Sequence, residues 1–198
     1  MAEDASVAPG LVFGVSGASG AALADVTARA LLARGVALEI VCSDFGELMW
    51  FHELDERFHA AVDRWSALGQ VTVHRPEDVA APISSGSYPT RGMVIVPCSA
   101  ASVGAIASGA GRNLLHRAAD VTLKERRRLV IVPRETPLSL IHLRNLTTLT
   151  EAGAVILPPD PAFYLRPTSI DELLQGLAAR ILQSLGIAEE VEAAYRWS

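Results

Sequence analysis

Apolar positions along this chain fall into short dense runs separated by stretches in which they recur every three or four residues. "LVFGV" (11–15), "VALEIVCS" (36–43), "MVIVPCS" (93–99), "LVIVPRE" (129–135) and "AVILPP" (154–159) are the dense runs. Runs of that length, bounded by Gly, Pro or Ser, predict strands buried on both faces, as in a parallel sheet. Between them the spacing turns helical. An alanine-rich helix over about 21–34 is stopped by Gly35, and a second begins near 44. "DERFHAAVDRW", "VGAIASGA", "LLHRAADVTLKERRR" and "IHLRNLTTLTEAG" follow, the last closed by Gly153. "SIDELLQGLAARILQSLG" opens with Ser169 as cap and Asp171 and Glu172 in its first turn. The polar segment up to about 80 and "PISSGSYPTRG" (82–92) read as irregular or loop. Strands alternating with helices predict an α/β fold, a doubly wound parallel sheet with helices on both faces.

Length and composition narrow this picture. The 198 residues are half hydrophobic and show no repeat and no long Pro/Gly linker, so a single domain over 1–198 is expected, with a polar extension at 1–10 and a tail at 188–198. A net charge of -5 argues against nucleic acid or an anionic membrane as partner. The opening "MAEDASVAPG" lacks the basic start and apolar run of a secretory signal, and no apolar stretch reaches the roughly 18 residues of a membrane span, which predicts a cytoplasmic protein. Cys42 and Cys98 end apolar runs without metal-ligand spacing and read as reduced core thiols, with no metal site. His52, His59 and His142 read as structural or surface residues.

The chemistry is expected where the strands end, because ligands of open parallel sheets bind outside the strands' carboxyl ends. Ser16 to Gly20 follow the first strand, Ser43 the second, Ser99 and Ser102 the third, Arg134 and Glu135 the fourth. The glycines of "GVSGASG" and the N–H groups opening the next helix suit a phosphate, although small residues there serve tight strand-to-helix packing equally well. Their GxxGxxG spacing is not the dinucleotide fingerprint, and the second strand ends in Cys42-Ser43 rather than an acid, which favours a mononucleotide. Arg117 and Lys124, seven apart, share one helix face with Asp120 between them, and "KERRR" reads as a solvated, ion-paired surface.

Taken together, "GASG", "SSGS", "MVIVPCS", "RAADVTLKERRRLVIVPRETPL", "HLRNL", "GAVILPP" and "PAFY" resemble the flavin prenyltransferase family (UbiX), over about residues 11–187. The resemblance implies a flavodoxin-like (Rossmann-like) fold and transfer of a dimethylallyl group from dimethylallyl phosphate to N5 and C6 of reduced FMN without a metal. The product would be prenylated FMN for a UbiD-type decarboxylase. By position, the resemblance implies FMN contacts at Gly17, Ala18, Ser19, Ser43, Ser99, Ala100, Ala101, Ser102 and Arg134. It implies a prenyl-phosphate site of Ser85, Ser87, Arg117, Lys124, Tyr164 and Arg180. Glu135 would move the proton lost on ring closure, with Ser19 as relay or orienter, Glu53 as a second carboxylate and Lys124 assisting departure of the phosphate. Trp197 would fold over the site or serve a subunit contact. A homo-oligomer, a dodecamer in the family, is implied as well. Two departures stand out: Ala100-Ala101-Ser102 follows "PCS" where the family carries larger residues, and Leu23-Ala24 replaces its "YG". The competing readings are an FMN-binding carrier of the same fold without prenyl transfer, and a cysteine-decarboxylase-like flavoprotein. Retention of the whole phosphate-side set argues against the first, and the lack of a "PASANT"-like motif against the second.

Overall fold

In the computed structural model, residues 9–188 are described; Trp197 and the remainder of the two chain ends lie outside them. Six parallel strands form one sheet: β1 (Leu11–Val15), β2 (Leu38–Cys42), β3 (Val71–His74), β4 (Met93–Cys98), β5 (Leu129–Pro133) and β6 (Val155–Ile156). Their order is β3-β2-β1-β4-β5-β6. Among the described residues the helices are α1 (Ala21–Leu32), α2 (Asp44–Leu54), α3 (Phe58–Ser66), α4 (Ala100–Ala107), α5 (Leu114–Lys124), α6 (Leu140–Glu151) and α7 (Ile170–Ser184). The arrangement is the doubly wound α/β fold that the alternation predicts. The chain winds outward from β1 in one direction and from β4 in the other, so a crevice opens between their carboxyl ends.

Strands β1, β4 and β5 are buried throughout because each sends alternate side chains into two cores. On one face Leu11, Phe13 and Val15 pack with α1, α3 and α7, around a nest of edge-to-face rings formed by Trp50, Phe58 and Trp65. On the other face Val12, Met93, Ile95 and Ile131 pack with α4, α5 and α6.

Several local expectations change. Strand β3 falls in the segment read as irregular; it is an edge strand whose Thr72 and Val73 are exposed, and it pairs with β2 from Leu38↔Val71 to Val41↔His74. The fifth helix ends at Lys124 rather than running through "KERRR", and Arg126 takes a left-handed conformation with φ 55°. Arg127 is not a solvated surface charge: its guanidinium donates to Gly86 O, Tyr88 O and Thr90 Oγ1, pinning the loop before β4. His142 caps α6 in a reciprocal pair with Ser139. Cys42 and Cys98 are free and buried, and burial pushes the Cys98 thiol up to about 12. No helix among the described residues is long and apolar enough to cross a membrane.

Candidate functional site

A cavity of about 630 Å³ lies beyond the carboxyl ends of β1, β2 and β4, with Gly17, Ser43, Ser99, Ala101 and Ser102 in its wall. Backbone chemistry draws these ends together. Ser16, fully buried, donates from Oγ to Pro97 O at 3.2 Å and accepts the Ser99 N–H at 2.8 Å, which fastens the loop after β1 to the loop after β4. At Gly17 a Cβ would lie 2.5 Å from Phe45 Cβ, so the glycine is what lets α2 begin against this loop. Ser43 and Ser99 cap α2 and α4, accepting the N–H groups of Gly46 and Ser102 at 3.1 and 3.2 Å. Both serines therefore face the cavity as helix caps, and the first N–H groups of each helix have no partner inside it.

At α1 the structure corrects one expectation. Its opening N–H groups, expected to offer themselves to a phosphate, are taken by Glu53 from the far end of α2: the carboxylate accepts from Gly20 N at 3.0 Å and Ala21 N at 2.8 Å. Partial burial raises the Glu53 pKa, but bonds from the Ser19 side chain and these two N–H groups, with the Arg134 charge nearby, outweigh it and hold the carboxyl below its ordinary range. Glu53 is thus an ionised group that fixes Ser19 and the start of α1. Anion-binding capacity shifts to the starts of α2 and α4.

The next strand end brings Arg134 and Glu135. Arg134 N donates to Cys98 O at 3.1 Å, placing both residues beside the end of β4. Glu135 is exposed, and its carboxylate accepts the Thr136 N–H at 3.1 Å.

Four of the six expected prenyl-phosphate residues gather on the α5 side of the sheet. Ser85 and Ser87 hydroxyls lie 2.9 Å apart in the loop that Arg127 pins. Arg117 donates to Ser84 O at 3.1 Å, and a Cβ on Gly86 would sit 2.7 Å from Lys124 Nζ, so both cations adjoin the serine loop. Asp120 pairs with Arg117 at 2.6 Å, while Lys124 pairs with Glu125 at 2.6 Å. Arg180 is not part of this group. Arg180 belongs to α7 on the opposite face, beside a cavity of about 300 Å³ that it shares with Ala162 and Leu165, next to Tyr164 in the chain.

Residues that sequence reasoning did not single out also line the main cavity: Phe45, Arg112, Asn113 and His116. A histidine next to Arg117 in a helical pattern carries no sequence signal that it faces a serine fourteen residues earlier. Among the described residues no group of His, Cys, Asp and Glu is arranged to hold a metal.

Comparison with known proteins bears on this geometry. The profile of the family described as Flavoprotein matches residues 2–181. The flavin prenyltransferase UbiX of Halalkalibacterium halodurans is 43% identical over 184 residues, covering 90% of this chain and 89% of the relative. The chain belongs to the UbiX flavin prenyltransferase family. Solved UbiX structures superpose closely. A crystal structure of AnUbiX in complex with FMN and dimethylallyl pyrophosphate matches with TM-score 0.87 and 42% identity, covering 96% of this chain and 97% of the other. A dodecameric FMN-dependent UbiX-like decarboxylase from Escherichia coli O157:H7 gives 0.86 and 39%, covering 95% and 98%. UbiX membership agrees with the flavodoxin-like sheet.

Proposed function

We propose that this chain joins a dimethylallyl group from a dimethylallyl phosphate ester to reduced FMN, in the cavity beyond β1 and β4. The observation that carries the reading is the convergence there of Gly17, Ser43, Ser99 and Ser102, in a chain that shares 43% identity with a flavin prenyltransferase over nine-tenths of its length. These residues fit FMN. The cavity has the size of cofactor sites, about 300–1,000 Å³, Gly17 removes a side chain from its wall, and the start of α4 offers N–H groups and the Ser102 hydroxyl to a phosphate.

When bound, reduced FMN supplies the electron-rich N5 and C6 at which the new bonds form. The chain's own residues hold, orient and move protons. Arg117 and Lys124, with the Ser85 and Ser87 hydroxyls, take the leaving phosphate; their present partners Asp120 and Glu125 are exposed ion pairs, weak enough to give way to a phosphate. Arg134 holds the flavin and adds its charge to the hydrogen bonds from Ser19, Gly20 and Ala21 that keep Glu53 ionised, and Glu53 in turn orients Ser19. Glu135, exposed and bound to one backbone N–H, is free to take the proton released as the fourth ring closes. Arg180, on the opposite face of the sheet from Arg117, and Tyr164 complete the phosphate site from a second copy in a homododecamer. The product, prenylated FMN, serves a UbiD-type decarboxylase in the cytoplasm.

The test is anaerobic. FMN is reduced on the protein, dimethylallyl phosphate or pyrophosphate is added, and the flavin released by denaturation is weighed. A gain of one prenyl unit is expected, stalled in Glu135→Gln. Unchanged FMN with both donors, at proven FMN occupancy, would refute prenyl transfer and leave the carrier reading.

A further inference from the structure

A serine oxygen that receives two hydrogen bonds must direct its own proton elsewhere, and Ser102 is in that position. It is buried in the first turn of α4, and Ser99 Oγ donates to its oxygen at 3.2 Å. His116 Nε2, in the first turn of α5, lies 3.1 Å from the same oxygen. The far side of the ring decides which atom carries the proton: Nδ1 accepts the Arg112 backbone N–H at 3.3 Å, so the proton sits on Nε2 and His116 is the donor. Burial, and then the Arg112 charge, push the His116 pKa below its ordinary value, which keeps the ring neutral. The ring is itself held in place, since its backbone N–H bonds to Asn113 Oδ1 at 3.0 Å in the cap of α5.

Both acceptor positions of Ser102 Oγ are therefore filled, and its hydroxyl proton points away from Ser99 and His116. All three residues line the 630 Å³ cavity. The same wiring rules the pair out as nucleophile and base, because a base would need Nε2 unprotonated.

We propose that His116 is a positioning residue for FMN, locking the Ser102 hydroxyl as a hydrogen-bond donor to the flavin phosphate at the start of α4. The inference rests on the FMN reading above and adds to it a residue on a different helix from the phosphate contacts it organises. Its consequence is selective: His116 matters to a flavin that carries a phosphate and is indifferent to one that does not.

The experiment titrates the oxidised protein with FMN and with riboflavin, which lacks the phosphate, following flavin fluorescence. His116→Leu is expected to weaken FMN about tenfold, equivalent to about 1.4 kcal/mol, and to leave riboflavin unchanged. His116→Gln, whose amide keeps an N–H donor, retains most of the FMN preference. In a Ser102→Ala background, His116→Leu has no further effect. Equal weakening of both flavins, or a His116→Leu effect that persists without the Ser102 hydroxyl, would show a packing role and overturn the proposal. Should the Leu variant fail to fold, His116→Ala takes its place: a loss of FMN preference that vanishes in the Ser102→Ala background supports the proposal, and an unchanged preference sinks it. Wild-type protein that binds neither flavin would defeat the FMN reading and the inference with it, whereas an FMN preference that survives His116→Leu defeats only the inference.

Discussion

Replacing Glu53 by Ala strips the carboxylate from the start of α1, and the cost follows from the bonds it makes. Two N–H groups, of Gly20 and Ala21, lose an ionised acceptor at 3.0 and 2.8 Å. Hydrogen bonds to charged groups contribute about 1.5–3 kcal/mol when well sheltered, and loss of a helix N-terminal cap costs about 0.5–2 kcal/mol. Glu53 is partly solvated, so the lower range applies, and about 1–2 kcal/mol is expected for Glu53→Ala. Glu53→Gln keeps one oxygen but loses the charge, and should cost about half as much by the same reckoning. In a chain of this length each kcal/mol lowers Tm by roughly 2–4 °C. The assay is urea and thermal unfolding of wild type and both variants at one fixed protomer concentration, since assembly adds to apparent stability.

The pH dependence has a definite sign. The folded-state pKa of Glu53 is lowered from the model-compound value of 4.5, so its stabilisation is fully present above that value and is lost as pH falls through the folded pKa. The advantage of wild type over Glu53→Gln should therefore be constant near neutrality and shrink below pH 4.5. Equal stability of the three proteins, or a difference that does not change across that acidic window, would refute the assignment of Glu53 as the ionised cap of α1.

Two other perturbations report on the two ends of the site. Gly17→Ala places a methyl 2.5 Å from Phe45 Cβ, and overpacking of that kind costs about 1–3 kcal/mol; melting temperature and FMN affinity should both drop, and a variant that matches wild type in both would show that α2 does not need the bare glycine. Arg127→Met removes the bonds to Gly86 O, Tyr88 O and Thr90 Oγ1 that hold the serine loop, and is expected to raise KM for the prenyl donor several-fold with FMN affinity unchanged; a loss confined to kcat would argue against a loop-holding role.

The strands were legible because burial on both faces leaves no room for polar alternation: Leu11–Val15, Met93–Cys98 and Leu129–Pro133 are apolar and wholly buried. Strand β3 escaped for the opposite reason. As an edge it keeps Thr72 and Val73 in solvent, and two exposed residues between two half-buried ones make no alternating pattern. The extent of α5 was misread because "KERRR" favours helix locally, whereas Arg127 turns back to bond the loop before β4, a long-range demand that local propensity cannot express.

By itself the sequence determined the order of the helices and of every strand but β3, and with it the edge where Gly17, Ser43, Ser99, Ser102, Arg134 and Glu135 must emerge, since a parallel sheet sends every strand's carboxyl end to one side. Only the tertiary structure decided how that edge is wired. Glu53 fills the start of α1 from 33 residues away, His116 orients Ser102 across two helices, and Arg180 stands on the opposite face from Arg117. Each depends on which side chains meet through space, and hydrophobic periodicity carries the direction of a face without the identity of what faces it.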